Sequence, residues 1–292
     1  MTALIGDELG PRGRRRVLVG SVVASLGVAA LVVVAIQRFA DRGQLDAEKW
    51  SILAEPAVVG FLLGGLANTV KAAAAGMVGA VTIGAVMALG RLSRNRPVRW
   101  LAASYVEFFR GFPLLLLILF SAFGLPRLGV RLPLFWYLVL GLAVYNSAVL
   151  AEIFRAGILS LDRGQREAAV AVGLTDGQAM RLVVLPQALR DVIPANVGLF
   201  IALLKDTSLG FFVQYEELLR RGQLTGNFDG NLLQALIAVA VMYIAVNMAL
   251  SRVARRLEVR QRRRYGGSIE VKGGPEDLVA PETAARKENV GV

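Results

Sequence analysis

An all-α, polytopic membrane fold with about six transmembrane helices is predicted for this chain by three observations. Apolar residues make up 55% of its 292 positions. They fall in blocks of about 20, the length that one crossing of a ~30 Å hydrocarbon core requires. The charges lie between the blocks, and the 33 Lys and Arg are distributed unequally between alternate connections. The length alone would also accommodate one or two soluble domains, but soluble domains do not segregate charge from apolar residues in this way.

In chain order, the block 17–36 carries no charge and forms the first span. It follows Arg12, Arg14, Arg15 and Arg16. A basic stretch before an apolar one also opens a secretory signal, yet Gln37-Arg38-Phe39-Ala40 offers no small-x-small cleavage site, so the block reads as an uncleaved anchor. The block 58–90 exceeds one straight span and is interrupted by Lys71, which suggests an approach over 58–66 and a crossing over 67–89. The third block covers about 101–125 and contains Gly111-Phe112-Pro113, a predicted kink or break; broken helices at membrane depth line cavities. The fourth, about 134–158, follows Pro133, a residue suited to a helix start. The fifth covers about 192–213 and the sixth about 232–250.

The positive-inside rule orients these spans. With the N-terminus inside, four arginines at 12–16, four at 91–99, five at 155–190 and ten Lys or Arg from Arg252 onward fall on the cytoplasmic side. Outside are Arg38, Arg42, Lys49, Arg127, Arg131, Arg220 and Arg221, while Lys71, Arg110 and Lys205 lie at membrane depth. Both termini are therefore expected on the cytoplasmic side, with the chain crossing its membrane several times. The net charge of +11 then belongs to juxtamembrane segments that hold to anionic lipid, and no nucleic acid is needed to explain it. The polar tail from about Gly266 has the composition of a disordered segment.

The chain has no Cys and no His. Disulfides, thiolate nucleophiles, Cys-ligated zinc, Ser-His-Asp catalysis and a His switch are excluded. No GxxxxGK[ST] loop is present, so the chain binds no ATP through that motif. No cofactor or metal is expected. Transport is favoured over catalysis.

The segment 160–190 is too long for a turn and too patterned for a linker. It reads SLDRGQREAAVAVGLTDGQAMRLVVLPQALR. Residues 165–172 fit a short helix with Gly173 as a left-handed cap. Thr175 and Gln178 fit a capping box. A second short helix follows to about Leu185, where Pro186 is expected to stop it. By itself, helix-Gly-helix also describes two amphipathic helices lying on a membrane surface.

Glu167-Ala168-Ala169, three residues, Gly173, nine residues, and then Val183-x-Leu185-Pro186 together resemble the EAA loop of ABC importer membrane subunits. That family usually has Ile at the position of Val183. Other stretches resemble the branch that imports polar amino acids: GLANTV at 65–70, YVEFFRGFPLLLLILF at 105–120, YNSAVLAEIFRAGILSLDRGQREAA at 145–169, LPQALRDVIPANVGLF at 185–200 and LLKDTSLGFF at 203–212. Within the branch the chain is most similar to glutamate permease subunits of high-GC Gram-positive bacteria.

The resemblance implies a five-helix type I importer core over 58–252, with the EAA loop at 160–190 holding two short cytoplasmic coupling helices. The basic N-terminus 1–16, an extra helix at 17–36 and the tail 253–292 lie outside it. It also implies a translocation subunit for a polar amino acid, glutamate first, with glutamine and aspartate as relatives. The implied partners are a cytoplasmic ABC ATPase homodimer that performs the hydrolysis, a second homologous permease chain and an extracellular solute-binding protein. Coupling to the ATPase would fall to Glu167, Ala168, Ala169, Gly173, Leu174, Leu185 and Pro186. Glu167 would make a charged contact or a helix cap, the alanines would permit close packing, and Gly173 would make the corner. The alternative is a standalone secondary transporter or channel for small polar solutes. It leaves the patterned loop unexplained.

Ionisable groups at membrane depth are costly and mark candidate sites. Glu107 and Arg110 either pair with each other or line the path. Glu152 and Arg155 repeat that spacing and read as an ion pair beside the loop, with Glu152 also a pathway candidate. Asn146 either bonds between helices or faces the substrate. Lys205, Asp206, Thr207 and Ser208 are four consecutive polar residues that cannot all face lipid. Lys205 and Asp206 could neutralise each other. For an amino-acid substrate, Lys205 or Arg110 suits the carboxylate and Asp206 the ammonium. Asn68 and Thr69 complete the candidates.

Overall fold

The computed structural model describes residues 10–228 and 230–265, and no strand occurs among them. The expected tail from Gly266 and the first nine residues lie outside the described residues. Eleven α-helices are described: α1 (Pro11–Asp41), α2 (Ala47–Ser51), α3 (Pro56–Arg91), α4 (Arg96–Gly111), α5 (Leu114–Leu119), α6 (Leu134–Leu159), α7 (Arg163–Ala171), α8 (Asp176–Ala179), α9 (Leu185–Asp206), α10 (Leu218–Phe228) and α11 (Leu232–Tyr265). Contacts divide them into two units. One comprises residues up to Ala156 with Ala202–Ala245, and the other Gly157–Ile201 with residues from Val246 onward.

Four helices have the length and apolarity to cross a bilayer: α1, α3, α6 and the first 25 residues of α11. Two bent pairs also qualify, α4 with the helical run Leu114–Leu128, bent by 103°, and Val197–Val213 with α10, bent by 49°. Counting each pair as one gives the six spans that the sequence predicts. Proline at the first helical turn starts α1, α3 and α4. There its missing N–H costs nothing and its φ is already helical.

Three elements differ from expectation. The stretch 58–90 is not an approach plus a crossing. It is the single 36-residue helix α3, because Lys71 is exposed on its flank and leaves the backbone ladder intact. Pro186 does not stop the second loop helix. Met180–Val184 forms a π-turn that runs directly into α9, where Pro186 is the second residue, and the wider turn carries the chain through a residue that would break a straight α-helix. Finally, α10 occupies a stretch that the sequence reading assigned to an outer connection.

The break between α4 and α5 follows from Pro113. Proline forces the preceding residue out of the helical region, and Phe112 accordingly has φ −89° and ψ 133°. The run then ends at Gly129, with φ +86°. The Tyr137 hydroxyl ties down the following connection, accepting from Leu132 N at 2.7 Å and donating to Val130 O at 3.1 Å.

In the first unit, α3 and α6 approach through small residues. Ala72, Gly76, Ala80, Gly84 and Ala88 recur every fourth position of α3, and all are buried. This spacing lays them along one face. A Cβ on Gly84 would stand 2.9 Å from both Leu150 Cβ and Ser147 O, and one on Gly76 would stand 3.2 Å from Leu142 Cβ. Small residues at every fourth position let helix backbones meet closely where lipid removes the usual hydrophobic drive. By contrast, α1 buries none of its residues. The turn after it is held by the Gln44 carbonyl, which accepts from Trp50 Nε1 at 3.2 Å and from the buried Gln234 Nε2 at 2.7 Å.

Candidate functional site

The second unit contains the loop predicted to transmit motion. Asp162 caps α7, its Oδ1 accepting from Gly164 N at 2.8 Å. The helix ends in a Schellman motif: Gly173 N donates to Val170 O at 2.9 Å and Leu174 N to Ala169 O at 3.2 Å. Gly173 has φ +89°, a conformation that glycine adopts without the Cβ penalty. The capping box predicted at Thr175 and Gln178 is present, with Thr175 N donating to Gln178 Oε1 at 2.9 Å. An Arg166–Asp176 ion pair at 2.7 Å joins α7 to α8, and Gln187 Nε2 donates to Gln165 Oε1 at 3.2 Å, joining α9 to α7. Each terminus is satisfied and the two short helices are cross-linked, so the corner is rigid by local chemistry.

Ala169 is buried, whereas Glu167, Ala168 and Gly173 are exposed. Leu174, Leu185 and Pro186 are half-buried. The N-cap of α7 is Asp162, so Glu167 is left with its carboxylate on the surface. Val170 and Val172 are also exposed, Val172 by 79%. The loop therefore presents one acid, one small residue and two apolar side chains around an αL glycine, with nothing from its own unit covering them.

In the first unit, Glu152 is the hub of an ion-pair cluster. It pairs with Arg91, with Arg155 at 3.1 Å, and lies 4.0 Å from Arg110. The Glu152–Arg155 pair expected from spacing is thus formed, and Arg91 joins it from 61 residues away in sequence. Glu107 and Arg110 do not pair: Arg110 turns toward Glu152 and Glu107 is exposed. Asn146 is buried and donates from Nδ2 to Leu142 O of its own helix at 2.9 Å, and its side chain makes no bond to another helix among the described residues. Beside it, the Tyr105 hydroxyl lies 2.8 Å from Ser147 Oγ.

Lys205 and Asp206 form no ion pair among the described residues. Consecutive helical residues project about 100° apart, so Lys205 is exposed while Asp206 is half-buried. Thr207 is fully buried, its Oγ1 donating to Leu204 O at 2.7 Å, and Ser208 is half-buried. Asn68 and Thr69 hold the turn before α10. Asn68 Nδ2 donates to Glu216 O at 2.9 Å, and Leu218 N donates to Thr69 Oγ1 at 3.1 Å.

That turn contains Glu217, a residue the sequence reading missed. Its side chain is fully buried. It caps α10, accepting from Leu219 N at 2.8 Å and Arg220 N at 2.7 Å, and accepts from the Tyr243 hydroxyl at 2.8 Å. Three donors and a helix N-terminus stabilise a carboxylate that has no cation bonded to it among the described residues. The local signal was an acid immediately before a helical run, but Thr69 and Tyr243 become its neighbours only through the fold.

With this geometry in place, comparisons identify the chain's relatives. The model of the family described as binding-protein-dependent transport system inner membrane component matches residues 80–263. The glutamate transport system permease protein GluD of Corynebacterium glutamicum is 37% identical, over 74% of this chain and 81% of that protein. The probable glutamine ABC transporter permease protein GlnP of Bacillus subtilis is 44% identical, over 55% of this chain and 75% of that protein. A solved structure titled as an amino acid ABC transporter with histidines superposes with a TM-score of 0.67 at 32% identity, covering 71% of this chain and 97% of that one. The family implies an ATPase and a solute-binding protein as partners and a multi-pass position in the plasma membrane. The chain belongs to the binding-protein-dependent transport system inner membrane component family, and is a permease subunit of an ABC importer.

Proposed function

We propose that this chain translocates a polar amino acid, with glutamate first and glutamine or aspartate next. The reading is supported by the resemblance of GluD and GlnP, named for glutamate and glutamine transport. A cytoplasmic ATPase homodimer supplies the energy, and the chain itself is not an enzyme. A second, related permease chain completes the path, lipid surrounds both, and the two termini lie in the cytoplasm. The core runs over 58–252, with α1 as an addition before it.

The observation that carries the coupling mechanism is the rigid α7–Gly173–α8 corner with its exposed surface. ATP closes the ATPase subunits, and the corner moves with them as one body. Glu167 meets a charged or polar group of the ATPase, Ala168 and Ala169 allow close approach, and Leu174, Leu185 and Pro186 anchor the corner below. The spans then open outward to accept substrate, and hydrolysis resets them. Among the pathway candidates, Asn68, Thr69, Asn146 and Thr207 are engaged in internal hydrogen bonds and shape the path. Glu107, Glu152 and Ser208 contribute to its polar lining. Lys205 or Arg110 meets the substrate carboxylate and Asp206 its ammonium.

The test is uptake of labelled glutamate, glutamine, aspartate and arginine into proteoliposomes containing this chain and its co-purified partners. ATP-dependent uptake of one acidic amino acid or its amide is expected, and Asp206→Asn should raise the KM for it. Uptake at full rate without ATP would instead support a standalone transporter.

A further inference from the structure

We propose that Arg91, Arg96, Arg99 and Arg155, with Trp100 at the rim, form a site for the phosphate headgroup of an anionic phospholipid. A cavity of about 400 Å³ is lined by these five residues and Ala103. All come from one unit: the end of α3, the first turns of α4 and the inner part of α6. Four arginines line the space, and two of them, Arg91 and Arg155, pair with the carboxylate of Glu152. Arg96 and Arg99 have no ion pair among the described residues, and the Arg99 side chain makes one hydrogen bond there, from Nη1 to Ser93 O at 3.3 Å. Glu107 lies two turns beyond Arg99 on α4 and does not line the cavity.

Like charges gathered around one concavity raise the local potential and draw an anion into it. Guanidinium forks match phosphate oxygens in pairs. Glu152 holds the half-buried Arg91 and Arg155, and Arg96 and Arg99 are exposed and remain available. The surroundings select a lipid over a soluble phosphate. Trp100 is 69% exposed, and Leu101 and Val98 beside it are 62% and 42% exposed. An indole in this position suits the headgroup level of a bilayer, and the apolar flank gives the acyl chains a surface next to the charged cavity. A free phosphate would use the cations and leave that flank unused. Basic pockets between helix ends recognise acidic headgroups in this way. Under the proposed orientation the lipid belongs to the inner leaflet, but the site itself does not depend on that orientation.

The experiment uses the full chain in mixed micelles, with Trp50→Phe and Trp136→Phe leaving Trp100 as the fluorophore. Brominated phosphatidylglycerol and brominated phosphatidylcholine are the quenchers. Phosphatidylglycerol should quench Trp100 at a mole fraction lower by on the order of tenfold. Arg96→Gln with Arg99→Gln should bring the two lipids close to parity, since Arg91 and Arg155 still hold Glu152 and the helices keep their packing. Arg96→Lys with Arg99→Lys keeps the charge, loses the forks, and should retain part of the preference. Equal quenching in the parent chain, or an unchanged preference in the double Gln variant, would overturn the site. Loss of the preference on adding millimolar inorganic phosphate at constant ionic strength would overturn the lipid assignment in favour of a soluble phosphate. None of these readouts involves transport, so failure here leaves the permease reading standing.

Discussion

Replacing Gly173 by Ala tests the coupling corner through its backbone alone. No atom lies within 4 Å of a Cβ built at this position, so any cost comes from φ +89° and not from crowding. The left-handed conformation costs a non-glycine residue about 1–2 kcal/mol, which shifts the equilibrium between the closed and opened turn roughly 5- to 30-fold. Two amides report this directly, those of residue 173 and Leu174, which donate to Val170 O and Ala169 O. Hydrogen exchange at both should accelerate by that factor. Gly173→Asn should accelerate it less, because a short polar side chain tolerates this region. Gly177 is the control. It also has nothing within 4 Å but lies in α8, where Ala gains up to about 1 kcal/mol of helix propensity, so Gly177→Ala should leave exchange at residue 173 unchanged. In proteoliposomes, Gly173→Ala should lower amino acid taken up per ATP hydrolysed more than it lowers hydrolysis. Unchanged exchange in Gly173→Ala, or an equal effect from Gly177→Ala, would refute the argument.

Three further outcomes follow from the same geometry. Gly84→Leu would drive a side chain into Leu150 Cβ and Ser147 O; overpacking of this kind costs about 1–3 kcal/mol or more, and folded yield from detergent extraction should fall sharply, whereas Gly27→Leu on α1, with open space around it, should extract normally. Glu217→Gln keeps the shape but leaves one buried donor without an acceptor, about 1–3 kcal/mol, so the apparent Tm in detergent should drop; an unchanged Tm would show the cap to be dispensable. Thr175→Ala removes half of the capping box, about 1 kcal/mol, and should speed exchange at the Gln178 amide without altering the Gly173 turn.

What could be read from the chain beforehand was what depends on neighbours in sequence. The capping box needs only Thr175 and Gln178, the αL corner only Gly173, and the break after α4 only Pro113 acting on Phe112. Membrane spans are legible for the same reason, since a bilayer imposes a local composition. The departures have two sources. Spacing left open whether Lys205 pairs with Asp206 and Glu107 with Arg110, and neither pair forms among the described residues. Adjacent helical residues diverge, and Arg110 found Glu152 on another helix. The turn before α10 was missed because its partners are remote: Thr69 is 149 residues from Leu218, and Tyr243 is 26 from Glu217. Pro186 was misread because a π-turn can carry the chain through a residue that would break a straight α-helix.

The unburied surface of α1 has a consequence for how the gene can drift. Since no residue of this helix is buried within the chain and its following turn is fastened through a main-chain carbonyl of Gln44, packing inside the chain fixes none of its positions and the membrane sets its composition. Leu, Val and Ile can trade places along it freely, and homologous versions should share its length and greasiness while losing recognisable identity. α3 obeys the opposite rule. Its every-fourth-residue stripe fixes what each site can hold, so two helices of comparable apolarity in one chain should diverge at very different rates. Swapping α1 wholesale for an unrelated apolar helix should leave a working core, whereas the same exchange at α3 should not.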